Sequence, residues 1–151
     1  MQFTLATVAA LFGASALAAP APQANDAPRP SENIDISNFS VRKEQDGTLV
    51  NISFNLSGDD AKDLLCESAN PELPSTEVVT CGDSKYRFTL KEGSETEFAL
   101  RIYHELGLAV GFWGEGDVPA YCHAGGLDQL LCAQTNPTTI VIDNTPPPVN
   151  P

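Results

Sequence analysis

Apolar and polar residues alternate with a period of two through much of the chain. The clearest case is the segment 48–57, in which an apolar set alternates with a polar set: Val50, Ile52, Phe54 and Leu56 against Asn51, Ser53, Asn55 and Ser57. Because successive side chains of a β-strand point to opposite faces, this alternation predicts a strand with one buried and one solvated face.

Four further segments show the same alternation and predict four more strands. They are residues 86–90, 98–102, 108–112 and 138–142. Near the start of the chain the apolar parity changes, because Ile34 and Ile36 are out of phase with Phe39 and Val41. A change of parity within one strand predicts a bulge or bend between the two pairs.

Turn-forming residues separate these segments and complete the predicted fold. A turn is expected at Leu106-Gly107, and the short segments 59–65 and 127–131 are interpreted as single helical turns. Many short strands at regular spacing are typical of an all-β fold. We therefore expect a compact, mostly antiparallel β-barrel or sandwich.

Both ends of the chain lack the alternation. Residues 1–18 predict a secretory signal peptide, because their uncharged apolar stretch is too short to span a bilayer and ends in Ala16-Leu17-Ala18. The alternative is a buried apolar helix of the mature fold. Residues 19–31 and 145–151 are proline-rich and are expected to form disordered tails. One β domain over 32–144 in a secreted, extracellular protein follows from this division.

Export to an oxidising compartment changes the interpretation of the four cysteines, because an even number there predicts disulfides. Four cysteines allow three pairings, which sequence alone does not distinguish. We expect the local pairs Cys66–Cys81 and Cys122–Cys132, since each closes a short loop rich in turn-forming residues. No pair has the two-residue spacing of a zinc knuckle, so we expect no metal site.

The charge balance narrows the classes of partner. Eight Lys and Arg face 20 Asp and Glu, for a formal charge of -12. Nucleic acids and anionic membranes are recognised through basic residues, so this balance argues against both. No basic residue follows Arg101, so the later part of the chain is purely acidic. That acidity favours either a basic partner or simple solubility.

Motifs for catalysis are missing from the sequence. His104-Glu105 is not followed by a second histidine four residues after His104, and no Gly-x-Ser-x-Gly elbow or phosphate-binding glycine loop occurs. We therefore expect no catalytic residues, no cofactor and no enzymatic activity. A pair of carboxylates among the 20 acids leaves a small secreted hydrolase as an alternative.

Three aromatic residues are candidate ligand-binding residues. Trp113, Tyr103 and Tyr121 fall on polar positions of the predicted strands or in loops. Such rings stack on sugars or on flavonoid-like rings, although they also pack under loops. A small-molecule or carbohydrate-binding β module is therefore an alternative function.

Three Asn-x-Ser sequons predict N-glycosylation, with chance occurrence as the alternative. They begin at Asn38, Asn51 and Asn55. Asn51 and Asn55 share the polar face of one predicted strand, so both are expected to be accessible.

A motif near the end of the chain resembles a known family. Tyr121-Cys122-x-Ala-Gly-Gly, followed by Cys132-Ala133-Gln134, is similar to the Alternaria-major-allergen-like family of small secreted fungal proteins. The resemblance covers about 34–142 and includes the Cys66 and Cys81-Gly82 pair. It implies a mostly antiparallel β-barrel or sandwich and the same two local disulfides.

The resemblance also implies a function. Members are allergens, and several are elicitors or effectors that act in the plant apoplast without an established enzymatic activity. Some engage thaumatin-like pathogenesis-related proteins or bind flavonoid-type ligands. We therefore expect a secreted fungal effector or elicitor that binds a plant extracellular protein or a small aromatic ligand. Certain members dimerise through an extra N-terminal cysteine, which the chain lacks before Cys66, so no such covalent dimer is expected.

Overall fold

Ten strands, all paired antiparallel, make up the part of the chain that the computed structural model describes, residues 28–146. They are β1 Ser31–Glu44, β2 Leu49–Gly58, β3 Ala61–Ala69, β4 Val79–Thr80, β5 Tyr86–Glu92, β6 Phe98–Gly107, β7 Val110–Val118, β8 Ala120–Ala124, β9 Gln129–Gln134 and β10 Thr138–Asp143. The predicted signal peptide, residues 19–27 and residues 147–151 lie outside the described residues. Within the described range no helix has the length and apolar character to span a membrane.

The strands form one strongly curved sheet in the order β3-β2-β1-β10-β7-β6-β5-β4. The long strand β1 pairs with β2 along one edge, and its other edge is shared by β10 near its start and β9 near its end. The Cys66–Cys81 disulfide joins β3, at one end of this order, to the residue after β4, at the other. The sheet is therefore an almost closed barrel whose seam is covalent, which confirms the predicted all-β fold.

A bulge in β1 allows this strand to serve two partners. The register with β2 shifts between Ser37 and Ser40, and Asn38 between them has a positive φ of 53°. The side-chain amide of Gln134 accepts a hydrogen bond from the Phe39 amide and donates one to the Ile36 carbonyl. These bonds satisfy backbone groups that the bulge leaves unpaired. The parity change seen in the sequence is thus a bulge, as predicted.

The core follows the predicted alternation in β5, β6, β10 and most of β2, but Leu49 rather than Val50 is buried, and Val110 of the predicted segment 108–112 is 61% exposed. Buried apolar side chains come from every strand except the short β4 and the hairpin strand β8, and β7 contributes only Val118. Aromatic rings form its centre, where Phe39 packs against Phe54 and Phe98, and Phe54 makes an edge contact with Phe88 at 4.9 Å. Such edge contacts add stability beyond the area that the rings bury.

Three local predictions are wrong. The segments 59–65 and 127–131 contain no helical turn. Residues 59–60 and 127–128 form tight turns, and the rest of each segment is the first part of β3 or β9. β3 and β9 contain few apolar residues because backbone pairing with the neighbouring hairpin strand holds them in the sheet, and neither buries a whole face of side chains. The β6–β7 turn lies at Leu108-Ala109 instead of Leu106-Gly107, so Leu108 is 99% exposed and lies outside the core.

Both predicted disulfides are present, and no described cysteine is free. Cys66–Cys81 bridges the barrel seam and is fully buried. Cys122–Cys132 instead links directly opposite residues of the β8–β9 hairpin. Glu97 lies close to the second bridge, but sulfurs that are bonded to each other do not offer thiolates to a metal.

Candidate binding site on the outer face of strands β5 to β7

Neighbouring residues of β5 and β6 serve opposite faces of the barrel. Tyr86 pairs with His104 and both point inward, whereas Arg87 pairs with Tyr103 and both point outward. Two polar clusters therefore lie back to back on the same strands. One is buried in the barrel and the other lies on its surface.

The inner cluster centres on the carboxylate of Glu32, on β1. Its Oε2 accepts a hydrogen bond from His104 Nδ1 at 2.6 Å, and its Oε1 accepts one from the Tyr86 hydroxyl at 2.6 Å. The backbone amide of Asp59 donates a third at 2.8 Å. The Tyr86 and His104 rings stack at 4.0 Å between centroids, and no member of this trio is more than 3% exposed.

These contacts shift two pKa values. Burial raises the pKa of Glu32, but hydrogen bonds from Tyr86 and His104 outweigh it and hold that pKa below its usual value. Burial, together with the hydrogen bond to Glu32, raises the pKa of the Tyr86 phenol. Glu32 is therefore a charged acceptor and Tyr86 a neutral donor at neutral pH.

The inner cluster joins parts of the fold that are distant in sequence. Asp60 contributes its amide to the Tyr86 hydroxyl at 3.0 Å, and its exposed carboxylate lies 3.3 Å from the otherwise unpartnered Nε2 of His104. A Cβ on Gly58 would collide with the Glu32 carboxylate and the Tyr86 hydroxyl. The cluster thus fixes the β2–β3 turn against β1, β5 and β6.

The outer cluster lines a groove of about 490 Å³ on the β5–β6–β7 face. Arg87, Tyr103 and Trp113 form one row across the three strands, since Tyr103 is directly opposite both of the others. Lys85 and Arg101 flank this row. The groove therefore combines the half-buried Tyr103 and Trp113 rings with three cations, of which Lys85 and Arg87 are exposed.

Specific contacts hold the groove side chains in place. The Arg101 guanidinium lies over the Trp113 ring, 5.3 Å from its centroid, and bonds to Glu115 at 2.8 Å. The Trp113 indole N–H donates to the carbonyl of Thr145, which follows β10. Arg87 is paired with Glu105. Because these contacts already hold the groove side chains in place, the side chains lose less conformational entropy when a ligand binds.

The structure brings two of the three predicted aromatic residues together. Tyr103 and Trp113 lie side by side in the groove, while Tyr121 is on β8, 67% exposed and outside it. The cations Lys85, Arg87 and Arg101 were not singled out in the sequence, although Arg87 and Arg101 occupy the same outward parity as the aromatic residues. Pairing of β5 with β6 places them in one site.

Several acidic side chains in the later part of the chain have partners within the protein. Glu105 and Glu115 form ion pairs with Arg87 and Arg101 from the preceding strands. Asp117 accepts hydrogen bonds from the amides of residues 94–96, which hold its pKa below its usual value although burial opposes them. A basic partner is therefore not required to neutralise these groups.

The sequon residues differ in their surroundings. Asn38 donates a hydrogen bond to the side chain of Asn55, and Asn55 donates one to the carbonyl of Asp63. Asn55 is half-buried, whereas Asn51 is exposed on the same face of β2. Of the two residues predicted to be accessible, Asn51 is therefore the more exposed.

The fold and the groove define the class of protein: a small, disulfide-stabilised all-β domain with an open aromatic and cationic groove on its outer face. The chain belongs to the Alternaria alternata allergen 1 family, whose model matches residues 36–132.

Known relatives agree with this assignment. The chain is 61% identical over 150 residues to Effector protein PevD1 of Verticillium dahliae, a match that covers 97% of this chain and 96% of the relative. A crystal structure of Alternaria alternata major allergen Alt a 1 has the same fold, with a TM-score of 0.61 at 21% identity over 77% of this chain and 96% of that one. The family therefore contains both a fungal effector and a fungal allergen.

Proposed function

We propose that this protein is a secreted, non-enzymatic fungal effector that acts in the plant apoplast by binding a host component through the β5–β7 groove. The similarity to Effector protein PevD1 over nearly the whole of both chains supports the effector role. The disulfides support secretion, because such bonds persist in oxidising compartments.

The groove is the observation that carries the binding role. Aromatic rings and arginines, here the half-buried Tyr103 and Trp113 beside Arg87 and Arg101, are the side chains most enriched where proteins recognise partners. The acid–histidine cluster of Glu32 and His104, which resembles catalytic machinery, is at most 3% exposed, whereas the groove side chains face solvent. Recognition at the groove is therefore better supported than hydrolysis at the inner cluster.

Two kinds of host component fit this proposal. One is an extracellular plant protein of the thaumatin-like pathogenesis-related type. The other, which corresponds to a small-molecule or carbohydrate-binding module, is a planar aromatic or sugar ligand that stacks on Tyr103 or Trp113. The aromatic row is the observation that supports a stacking ligand, because a sheet face that serves only solubility does not need it.

Leaf infiltration tests the proposal. Purified protein should induce or suppress defence responses, and Lys85→Gln combined with Arg87→Gln should weaken that effect. A matched control replaces two exposed cations outside the groove, Arg42→Gln and Lys62→Gln, with the same loss of charge. Equal effects of both double variants would place the active surface elsewhere. The absence of any response to the unaltered protein across hosts would contradict the effector role.

Secretion and glycosylation form a separate part of the proposal. We expect removal of residues 1–18. We also expect a glycan on Asn51, because its side chain is exposed whereas that of Asn55 on the same strand is half-buried. Expression in a filamentous fungus, N-terminal sequencing of the secreted protein and endoglycosidase treatment measure both. An endoglycosidase shift that persists in Asn51→Gln would show that Asn51 is not the main acceptor.

A further inference from the structure

The chemistry of the β5–β7 groove selects among possible ligands. Its lining carries Lys85, Arg87 and Arg101 and one carboxylate, Glu105, and a second carboxylate, Glu115, bonds to Arg101 from beside the groove, which leaves one cation in excess in a chain whose formal charge is -12. Three of the eight Lys and Arg residues of the whole chain are thus gathered in one groove. This departure from the overall charge indicates a ligand that is itself negative.

Hydrogen-bond donors in the groove exceed acceptors. A guanidinium has five N–H donors, and the partner carboxylates of Arg87 and Arg101 accept only one or two from each. No described carboxylate pairs with the Lys85 ammonium. A fitting ligand therefore presents acceptor oxygens, and those of a carboxylate can bond to the planar guanidinium in pairs.

The groove is also an open surface rather than an enclosed pocket. Its lining comes mostly from outward residues of three neighbouring strands and from the β6–β7 turn, with a contribution from the inward His104 and Phe112. A molecule bound there keeps one side in water. Small ligands usually bury most of their surface in a cleft, which this face does not provide. Adjacent strands lie about 4.8 Å apart and alternate residues of a strand about 7 Å apart, so the cations extend beyond the width of one sugar ring.

We infer that the groove binds a linear oligosaccharide of uronic acids. Sugar rings would stack on Tyr103 and on the Arg101–Trp113 pair, while ring carboxylates would bond to Arg87, Lys85 and the free N–H groups of Arg101. This inference rests on the proposed function, since acidic polysaccharide is a form in which an apoplastic protein meets its host. The overall charge opposes such a ligand at long range, but the Debye length of about 8 Å at physiological ionic strength limits that repulsion.

Trp113 provides the measurement, because it is the single tryptophan of the chain. Titration with a de-esterified oligogalacturonate should change its fluorescence, and about 1 M salt should weaken binding because it screens the ion pairs. The same oligomer with methyl-esterified carboxylates and a neutral cello-oligosaccharide should bind at least about tenfold more weakly. Binding of the neutral oligomer with equal affinity would overturn the inference.

Variants separate the groove from general charge effects. Lys85→Gln with Arg87→Gln should raise the Kd for oligogalacturonate about tenfold, whereas Arg42→Gln with Lys62→Gln should change it less than about twofold. Isothermal calorimetry gives the same Kd without relying on Trp113. Tighter binding of a flavonol that displaces the oligomer would assign the groove to aromatic ligands instead.

Failure of the uronic-acid inference can be distinguished from failure of the proposed effector function. If oligogalacturonate does not bind but the groove variant still loses its effect in leaves, the effector surface stands and the uronic-acid ligand falls. If the oligomer binds and the groove variant acts normally in leaves, the ligand stands and the groove is not the effector surface.

Discussion

The inner and outer polar clusters are built from adjacent residues of the same strands, yet they do different things. Tyr86 and His104 face inward to Glu32, and Arg87 and Tyr103 face outward to the groove. A buried polar group that loses its hydrogen-bond partner destabilises the fold, so the contacts of the inner cluster contribute to stability. On the surface water competes for each bond, so the groove contributes little to folding and remains available to a ligand.

The comparison shows why residue type alone is a poor guide to chemistry. A carboxylate, a histidine and a tyrosine within hydrogen-bond distance resemble an acid–base site. Because all three are buried behind the β2–β3 turn, they serve as a clamp between strands. The ion pairs outside, with side chains 30–47% exposed, have the access that the inner cluster lacks.

Removal of the inner carboxylate should have the largest effect. Glu32→Ala leaves His104 and the Tyr86 hydroxyl buried without their acceptor. We expect the free energy of unfolding to fall by about 3–5 kcal/mol. Urea denaturation followed by circular dichroism measures this. Glu32→Gln keeps the shape of the side chain and one acceptor oxygen, so the free energy of unfolding should fall by less than in Glu32→Ala. A loss below about 1 kcal/mol for Glu32→Ala would show that the clamp is not a main source of stability.

Loss of the seam disulfide should have the next largest effect. Replacement of Cys66 and Cys81 by Ala frees a 15-residue loop, for about 3 kcal/mol, and also opens the only covalent link between the sheet edges in the described chain. The Cys122–Cys132 bridge closes a 10-residue loop across paired strands, so its removal should cost somewhat less. Thermal melting of both double variants compares them, and the reverse order would contradict the role of the seam.

Acid should weaken the inner cluster. The folded pKa of Glu32 lies below its unfolded value of 4.5, so the charged form contributes stability above pH 4.5, and that contribution is lost as the pH falls through the folded pKa. Urea midpoints between about pH 3 and 7 should therefore decline at the acid end. Asp117 and Asp143 also have lowered pKa values, so the test compares the chain with Glu32→Gln. Equal acid slopes in both would remove Glu32 as a cause.

Changes in the outer cluster should have the smallest effect on folding. Arg87→Ala removes an ion pair whose two side chains are each 47% exposed, and we expect a change within about 0.5 kcal/mol. The same denaturation measurement, set beside the ligand titration, should show a stable protein that binds less well. A large loss of stability would mean that the groove is part of the structural framework.

Much of the fold was predictable because burial on one face imposes a period of two. The strands β2, β5, β6 and β10 and the bulge in β1 were visible as alternation and as a change of its parity. The strands β3 and β9 were not, since hairpin pairing supports them with few inward apolar residues. Of the site, Tyr103 and Trp113 were recognisable as aromatic rings on polar positions, whereas their cationic neighbours looked like ordinary surface charge.

The sequence by itself determined the all-β class, the core alternation and the number of cysteines, because each depends on residue type and local spacing. Only the tertiary structure decided which residues meet: Glu32 with His104 across 72 positions, and Arg87 beside Tyr103 and Trp113. The reason is that strand order and register bring these groups together, and local periodicity contains no information about them. The same register buries the Glu32, His104 and Tyr86 side chains inside the barrel and places the cationic groove on its outer face.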